Sequence, residues 1–429
     1  MEDKIKANQL TAWYNFAFCS VFFMYFQFLP IDIETQPLGV VICVPIFICF
    51  YRKRLEVRKE DKFLLSFLLI VFIYYIFEIL FSTSIGDVTM SFFRLIISPI
   101  CYFFVLKHVE FLHWKSVRFG VWITFITALI ELFRVPGMFQ ILDTVYSLFF
   151  RRYYYGAGNR GLCILTTEPS YFVYFAMLLL YAIEYLYGLK KIEYKKKKIY
   201  TAMIYATGML TKSAIVYLFL LIYGIQLYLG YNKETKKKIN KVVLLAVILI
   251  MICGFVWLAQ IGVLENNRFV GIIHSIDLRK SITDILFYSD ESMGYRFIMN
   301  SIYLMSVFLY PFGMGIGVLR HNWAEVANRV NIDYARNMIF SYTFDEKSVL
   351  DAQAYIPNAV GTVGFFSLLL VLFLYSGNRY KDARIRRNIL FTVSLFMWAI
   401  QSNYFNPVFW FLIGFAKSND MVRLKAGRK

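Results

Sequence analysis

The chain has 429 residues, of which 59% are hydrophobic and 19% aromatic, and its mean hydropathy is +0.56. Apolar runs of about 15 to 25 residues recur along nearly the whole sequence, which excludes an ordinary soluble globular protein. The formal net charge of +18 would suit a nucleic-acid partner, but a basic membrane protein usually owes its charge to lysines that hold loops on the cytoplasmic side.

The fold class follows from the length of these runs. They are too long for strands and lack the alternation of an outer-membrane barrel, so we predict an all-α polytopic membrane protein with one transmembrane domain, residues 1–429. The six cysteines show neither CxxC spacing nor clustering with histidine. We therefore expect no disulfide framework and no metal site.

The apolar pattern predicts about twelve transmembrane helices. In chain order they span residues 11–30, 37–51, 63–82, 88–106, 117–135, 164–188, 199–211, 213–230, 241–261, 357–375, 388–401 and 405–418. Basic tracts follow alternate helices and, together with Lys4 and Lys6 near the N-terminus, carry 21 lysines and 10 arginines. This alternation predicts that both termini are cytoplasmic.

Two large loops are predicted on the side opposite the basic tracts, at residues 135–163 and 262–356. The second loop contains the apolar stretch "YRFIMNSIYLMSVFLYPFGMGIGV". Counting this stretch as a span would place the basic tract at 377–387 outside, so we predict a helix at the outer membrane interface followed by a glycine-rich turn.

The outward regions are richer in arginine than in lysine, which is the reverse of the cytoplasmic tracts. They hold nine arginines and three lysines. A guanidinium group binds phosphate or carboxylate oxygens in pairs, so this bias indicates an anionic ligand at the outer surface. The alternative is that the arginines pair within the fold with the loop acids Asp284, Asp290, Glu291, Asp345 and Glu346.

Glu78 and Arg94 lie inside the third and fourth predicted membrane helices. Glu78 and Arg94 flank the short turn "STSIGDV", and an antiparallel hairpin is expected to bring them level as an intramembrane ion pair. The alternative is that Arg94 belongs to the anion site.

Four motifs occur in order between about residues 155 and 375. The first is "NRGLCILTTEPSYFVYFAMLLL" (159–180), the second "MLTKSAIVYLFLL" (209–221), the third "MGYRFIMNSIYLMSVFLYPFGMGIGV" (293–318) and the fourth "PNAVGTVGFFSLLLVL" (357–372). Together they resemble bacterial O-antigen polymerases of the Wzy type, which are relatives of the O-antigen ligases.

The resemblance implies a membrane-embedded glycosyltransferase of the C type in lipopolysaccharide biosynthesis. Its substrates would be undecaprenyl-pyrophosphate-linked oligosaccharides, joined at the periplasmic face without a metal or other cofactor. A chain-length regulator protein would be a further partner, and no nucleic acid is involved. An O-antigen ligase is the nearest alternative, and a flippase or other transporter of lipid-linked oligosaccharides is an alternative from another class.

Individual residues are candidates for the roles that this activity requires. Arg160, Lys212 and Arg296 belong to the matched motifs, whereas no motif marks Arg151 and Arg152. The pyrophosphate-binding candidates are Arg160, Lys212, Arg296, Arg320 and Arg94. The candidates for binding glycan or lipid headgroups are Arg151, Arg152, Tyr171, Gln353 and Asn358.

The general base is left open between two residues. Glu168 lies at a helix start, where it would act as base or would orient Arg160. His321 follows the glycine-rich turn and is the other candidate. Ligase relatives carry a histidine shortly before the late Gly-x-x-Gly helix, whereas this chain has Gln353 near that place, which favours a polymerase.

Overall fold

The computed structural model describes residues 2–30, 34–51, 57–81, 84–150, 161–234, 281–288, 291–337, 339–340, 348–376, 384–402 and 405–418. Over these ranges the regular secondary structure is helical, without a strand. The all-α class predicted from the sequence is confirmed.

The first nine helices cover the N-terminal half. They are α1 (Glu2–Ser20), α2 (Leu38–Tyr51), α3 (Asp61–Phe81), α4 (Ile85–Cys101), α5 (Trp114–Phe133), α6 (Met138–Phe149), α7 (Phe172–Gly188), α8 (Tyr194–Leu210) and α9 (Ala214–Glu234). The others described are α10 (Ile282–Tyr288), α11 (Glu291–Leu309), α12 (Leu319–Arg329), α13 (Tyr355–Val363), α14 (Leu368–Tyr375), α15 (Arg384–Trp398) and α16 (Val408–Lys417).

Five helical segments in the described ranges are long and apolar enough to cross a membrane. They are Asp61–Phe81, Ile85–Leu106, Trp114–Phe133, Pro169–Gly188 and Tyr355–Tyr375. On α3 the apolar side chains of Leu69, Phe77 and Leu80 are 59%, 60% and 68% exposed. A surface of this kind is favourable against lipid and unfavourable against water.

The observed helices agree with the predicted ones in most places. The differences include α10 and α12, which form inside the loop predicted at 262–356 in addition to the interfacial helix predicted there. The first helix begins at Glu2 and ends at Ser20, earlier than predicted. Helix α6 forms inside the loop predicted at 135–163, where no helix is expected from the sequence. The late span at 357–375 is broken at Gly364, whose φ is +57°. The predicted helix at 241–261 lies outside the described residues.

The sequence suggests one domain, and the contacts group the chain into two compact units. Unit 1 comprises Met1–Val21, Pro37–Leu112 and Leu278–Lys429, and unit 2 comprises Phe22–Gln36 and His113–Asp277. The third and fourth motifs lie in unit 1, and the first and second lie in unit 2.

Unit 1 has charged contacts at one end of its α3–α4 hairpin. The Lys107 ammonium lies 3.6 Å from the Asp61 carboxylate, and the Arg58 guanidinium donates to the Lys417 carbonyl at 2.7 Å. These residues belong to, or border, tracts that the sequence predicts on one side of the membrane. Segments predicted on the same side therefore meet within unit 1.

The opposite end of this hairpin meets a glycine turn, residues 311–317. Gly313, Gly315 and Gly317 have φ of +82°, +99° and +79°, a region that side chains rarely adopt. The N–H of Met314 donates to the Gly361 carbonyl at 3.0 Å, and the N–H of Gly315 donates to the Thr362 carbonyl at 3.1 Å. The third and fourth motifs are therefore in direct contact.

In unit 2 the first and second motifs make a similar contact. The N–H of Leu162 donates to the Leu210 carbonyl at 3.2 Å. A Cβ at Gly161 would lie 2.0 Å from the Thr211 carbonyl oxygen, so only glycine allows the backbones to approach this closely.

Candidate functional site: a two-arginine cleft in unit 1

A small cleft lies where α4, the glycine turn, α12 and α13 meet. It is lined by Ser91, Arg94, Tyr303, Gly315, Gly317, Leu319, Arg320, Asp351, Asn358 and Thr362. Three of these, Arg94, Arg320 and Asn358, are site candidates from the sequence. The structure thus brings together residues that are far apart in the chain.

Two guanidinium groups share one carboxylate in this cleft. Arg94 Nη1 bonds to Asp351 Oδ2, and Arg320 Nη2 lies 3.5 Å from the same oxygen. Arg320 Nη1 also lies 3.6 Å from Asp87 Oδ1. The side chains of Arg94 and Arg320 are 16% and 12% exposed, so their charges are screened less than those of surface residues.

Two residues that line the cleft, Arg320 and Ser91, each have a buried polar atom without a hydrogen-bond partner among the described residues. These atoms are Nε of Arg320 and Oγ of Ser91. Buried polar groups are nearly always hydrogen-bonded, so unpaired donors on residues beside a cleft suggest that a ligand or water completes them. Guanidinium and hydroxyl donors together suit the oxygens of an anion.

Hydrogen bonds hold the backbone on both sides of Asp351. The Asn300 amide oxygen accepts from the N–H groups of Gln353 and Ala354, each at 2.9 Å. The Tyr303 hydroxyl donates to the Leu350 carbonyl at 2.9 Å. The Gln353 amide donates to the Asp351 carbonyl at 3.2 Å, so Gln353 supports the cleft wall instead of lining the cleft.

His321 lies beside the cleft on the first turn of α12. Its Nε2 is 3.5 Å from Asp87 Oδ2, and its side chain is 41% exposed. The Ser84 hydroxyl also donates to Asp87 Oδ2, at 3.0 Å. The geometry leaves the imidazole accessible to a substrate while one carboxylate contacts it.

The predicted ion pair between Glu78 and Arg94 is wrong. Tyr75 stacks on Phe92 with ring centroids 4.0 Å apart, so these two residues lie level across the hairpin. Glu78 follows Tyr75 toward the hairpin turn, whereas Arg94 follows Phe92 away from it. At about 1.5 Å of helix rise per residue, the two charged residues are therefore well separated along the hairpin. Arg94 bonds to Asp351 instead, and Glu78 lies against the glycine turn. The alternative interpretation, that Arg94 belongs to the anion site, agrees with its position in the cleft.

Unit 2 contains the candidates Glu168 and Lys212. Glu168 is half-buried at the start of the helical turn Pro169–Tyr171, and its carboxylate accepts from the Ser170 hydroxyl at 3.2 Å. Lys212 is exposed in the turn between α8 and α9, where its φ is +50°. The turn predicted at "TKS" is therefore present.

Tyr171 is buried and does not present a free ring face. It stacks on Tyr25 with the two planes inclined by 2°, and its hydroxyl donates to Glu34 at 2.9 Å. These contacts favour a packing role for Tyr171 over the glycan-stacking role predicted from the sequence.

Glu131 organises the first motif and is not identified from the sequence. Its buried carboxyl group accepts from the N–H groups of Cys163 and Ile164, both at 2.9 Å, and from the Tyr146 hydroxyl at 2.8 Å. Ile164 and Leu165 have φ of +52° and +62°, which is unfavourable for β-branched and bulky residues. The carboxyl group thus stabilises a strained backbone just before Glu168.

Tyr146 completes this arrangement from α6. Its hydroxyl accepts from the N–H of Leu165 at 2.8 Å while it donates to Glu131. Burial, and secondly the neighbouring Glu131, raise the pKa of Tyr146 well above its ordinary value, so the hydroxyl keeps its proton.

The remaining candidates lie elsewhere. Arg296 donates to the Ser292 carbonyl and hydroxyl at 3.1 and 2.7 Å, within its own helix α11, and does not line the cleft. Arg151, Arg152 and Arg160 lie outside the described residues.

Some of the outward arginines do pair with acids, as the alternative interpretation expects. Arg336 lies 3.0 Å from Asp284, one of the acids named from the sequence. Arg329 pairs with Glu325 on the same helix. Both pairs are more than half exposed on the arginine side, unlike the cleft arginines.

The two acids that contact the cleft arginines are not identified from the sequence. Asp351 is 257 positions from Arg94, so nothing local connects them. Asp87 lies within the stretch "STSIGDV", but no sequence feature singles it out.

Comparison with known families finds no family model that matches this chain. Comparison with curated proteins finds no matching sequence.

Proposed function

We propose that this chain is an O-antigen polymerase of the Wzy type. It would join oligosaccharide repeat units carried on undecaprenyl pyrophosphate at the periplasmic face of the bacterial inner membrane. The observation that carries the proposal is the cleft of unit 1, which is lined by two arginines and by residues that have buried, unpartnered donors. The four motifs support it, because they make contacts in pairs within each unit.

The reaction forms a bond between an acceptor sugar hydroxyl and the donor's anomeric carbon. The bond from that carbon to the pyrophosphate oxygen breaks, and its electron pair leaves on undecaprenyl pyrophosphate. Negative charge develops on the departing oxygen, and fixed cations lower the barrier by stabilising that charge. Arg94 and Arg320 would supply this stabilisation.

The acceptor proton must go to a base near the cleft. His321 is adjacent in sequence to Arg320 and is accessible, and the Asp87 carboxylate 3.5 Å from its Nε2 would orient the imidazole. Glu168, the other candidate from the sequence, belongs to unit 2 and is not among the residues that line this cleft.

The finer topology belongs to the same proposal. Twelve spans, cytoplasmic termini and a periplasmic cleft follow from the lysine-rich tracts. The charged contacts at one end of unit 1 support this topology, because they join segments that the tracts place on the same side.

Deletion of the gene tests the reaction class. A polymerase predicts surface lipopolysaccharide with the core and one repeat unit, seen as one band above the core on a gel. Loss of the repeat unit altogether would instead identify a ligase, and an unchanged ladder would contradict both.

A further inference from the structure

The internal contacts of the cleft point to a role for Asp351. The Arg94 and Arg320 guanidinium groups converge on a single atom, Asp351 Oδ2. A carboxylate oxygen between two guanidinium groups has the charge and the donor arrangement of a phosphate oxygen. Asp351 thus occupies the place that an anionic ligand of these arginines would take.

The charges in the cleft reinforce this interpretation. Two carboxyl groups, those of Asp351 and Asp87, already contact the two guanidinium groups before any ligand enters. A pyrophosphate group that bound beside Asp351 would meet a like charge within a few ångströms, which is strongly unfavourable in a poorly solvated cleft. Binding therefore requires that the carboxylate move away from the guanidinium groups.

The surroundings show which part can move. The backbone at Asp351 is fixed by Asn300, Tyr303 and the hydrogen bond from the Leu350 N–H to the Arg320 carbonyl at 3.0 Å. The Asp351 side chain is 19% exposed, so its carboxylate has access to water. Rotation of this side chain alone would release both arginines while the cleft wall stays in place.

We propose that Asp351 is an exchangeable internal anion, which holds Arg94 and Arg320 in the empty cleft and is displaced by the pyrophosphate group of the substrate. This inference rests on the proposed function for the identity of the ligand. Before binding, the carboxylate keeps two like charges close together. After the glycosyl transfer it competes with the product pyrophosphate for the same guanidinium groups and speeds its release.

The test measures binding of geranylgeranyl pyrophosphate to the purified full-length protein by isothermal titration calorimetry. Removal of the competing charge in Asp351→Asn should tighten binding about tenfold, which corresponds to about 1.4 kcal/mol. Arg94→Gln and Arg320→Gln should each weaken binding at least about tenfold. Asp284→Asn removes the same charge from the exposed Asp284–Arg336 pair and should leave affinity unchanged.

The direction in which Asp351→Asn changes the affinity distinguishes this proposal from a purely structural role of Asp351. If Asp351 only positioned the arginines, Asp351→Asn would weaken binding, and that result overturns the proposal while the arginine variants still support the site. If all three cleft variants bind like the wild type, the pyrophosphate site itself is wrong. Asp351→Ser provides the same comparison if Asp351→Asn is recovered poorly, with gel filtration as the check of folding.

Product release gives a second readout. In Asp351→Asn the single-turnover rate should be retained, because the glycosyl transfer step is unchanged. The steady-state rate should fall, because release of undecaprenyl pyrophosphate becomes slower. Equal reductions of both rates would contradict the proposed competition.

Discussion

The cluster around Glu131 in unit 2 and the cluster around Asp351 in unit 1 differ in how completely their polar groups are hydrogen-bonded. In unit 2, Glu131 accepts three hydrogen bonds from groups that the fold itself provides. In unit 1, Asp351 balances two arginines, yet Arg320 Nε and Ser91 Oγ remain without partners in the described part of the chain. A satisfied cluster stabilises a fold, whereas an incompletely satisfied one is suited to bind a ligand.

The largest effect is expected in the cleft. Arg94→Gln or Arg320→Gln should lower the rate of polymer formation about 100-fold or more, because each removes a charged donor from the departing pyrophosphate. The measurement is the lipopolysaccharide ladder in a deletion strain complemented with each variant at matched expression. Arg336→Gln is the control, because it removes the same charge from an exposed arginine that does not line the cleft. An unchanged lipopolysaccharide ladder in both cleft variants would show that the two arginines serve only the structure of unit 1.

The next effect is expected on stability, in unit 2. Glu131→Ala leaves the Cys163 and Ile164 N–H groups without their acceptor, and should cost on the order of 3 kcal/mol. Thermal unfolding of the purified protein in detergent measures it as a lower midpoint. Affinity for geranylgeranyl pyrophosphate, measured below that midpoint, should be retained. A stable variant that has lost pyrophosphate binding would reverse the roles assigned to the two clusters.

A smaller stability effect is expected at the glycine turn beside the cleft. Gly315→Ala places a methyl group about 1.8 Å from Glu78 Oε1, at a φ of +99°, and should destabilise by about 1–3 kcal/mol. Gly86→Ala is the matched control, because its Cβ would meet nothing within 4 Å in helix α4. That control should be neutral or slightly stabilising. Equal midpoints for the two variants would show that the turn is not fixed as described.

The smallest effect is expected at the exposed pair of Asp284 and Arg336. The Ser281 hydroxyl, and then Arg336, lower the pKa of Asp284. A carboxyl group whose pKa is lowered in the folded state contributes stability above its ordinary pKa of about 4, and that contribution is lost as the pH falls. Asp284→Asn should therefore melt slightly below the wild type at pH 7 and together with it in strong acid. A difference that grows on acidification would contradict this assignment.

The sequence predicts local features of this protein better than its distant contacts. The helix positions, the "TKS" turn and the glycine turn follow from hydropathy and backbone preferences, which act over a few residues. Arg94, Arg320 and Asn358 were identified as candidates, but the acid that joins the two arginines was not. The Glu78–Arg94 pair fails because a hairpin register depends on which residues form the turn. Glu131 is missed because its partners lie 32 and 33 positions away.

The most direct test is a cryo-electron microscopy structure of the protein with geranylgeranyl pyrophosphate. The account predicts that the pyrophosphate group lies between the Arg94 and Arg320 guanidinium groups, near Ser91, with the Asp351 carboxylate turned away. A pyrophosphate bound elsewhere, with Asp351 still bonded to both arginines, would contradict it.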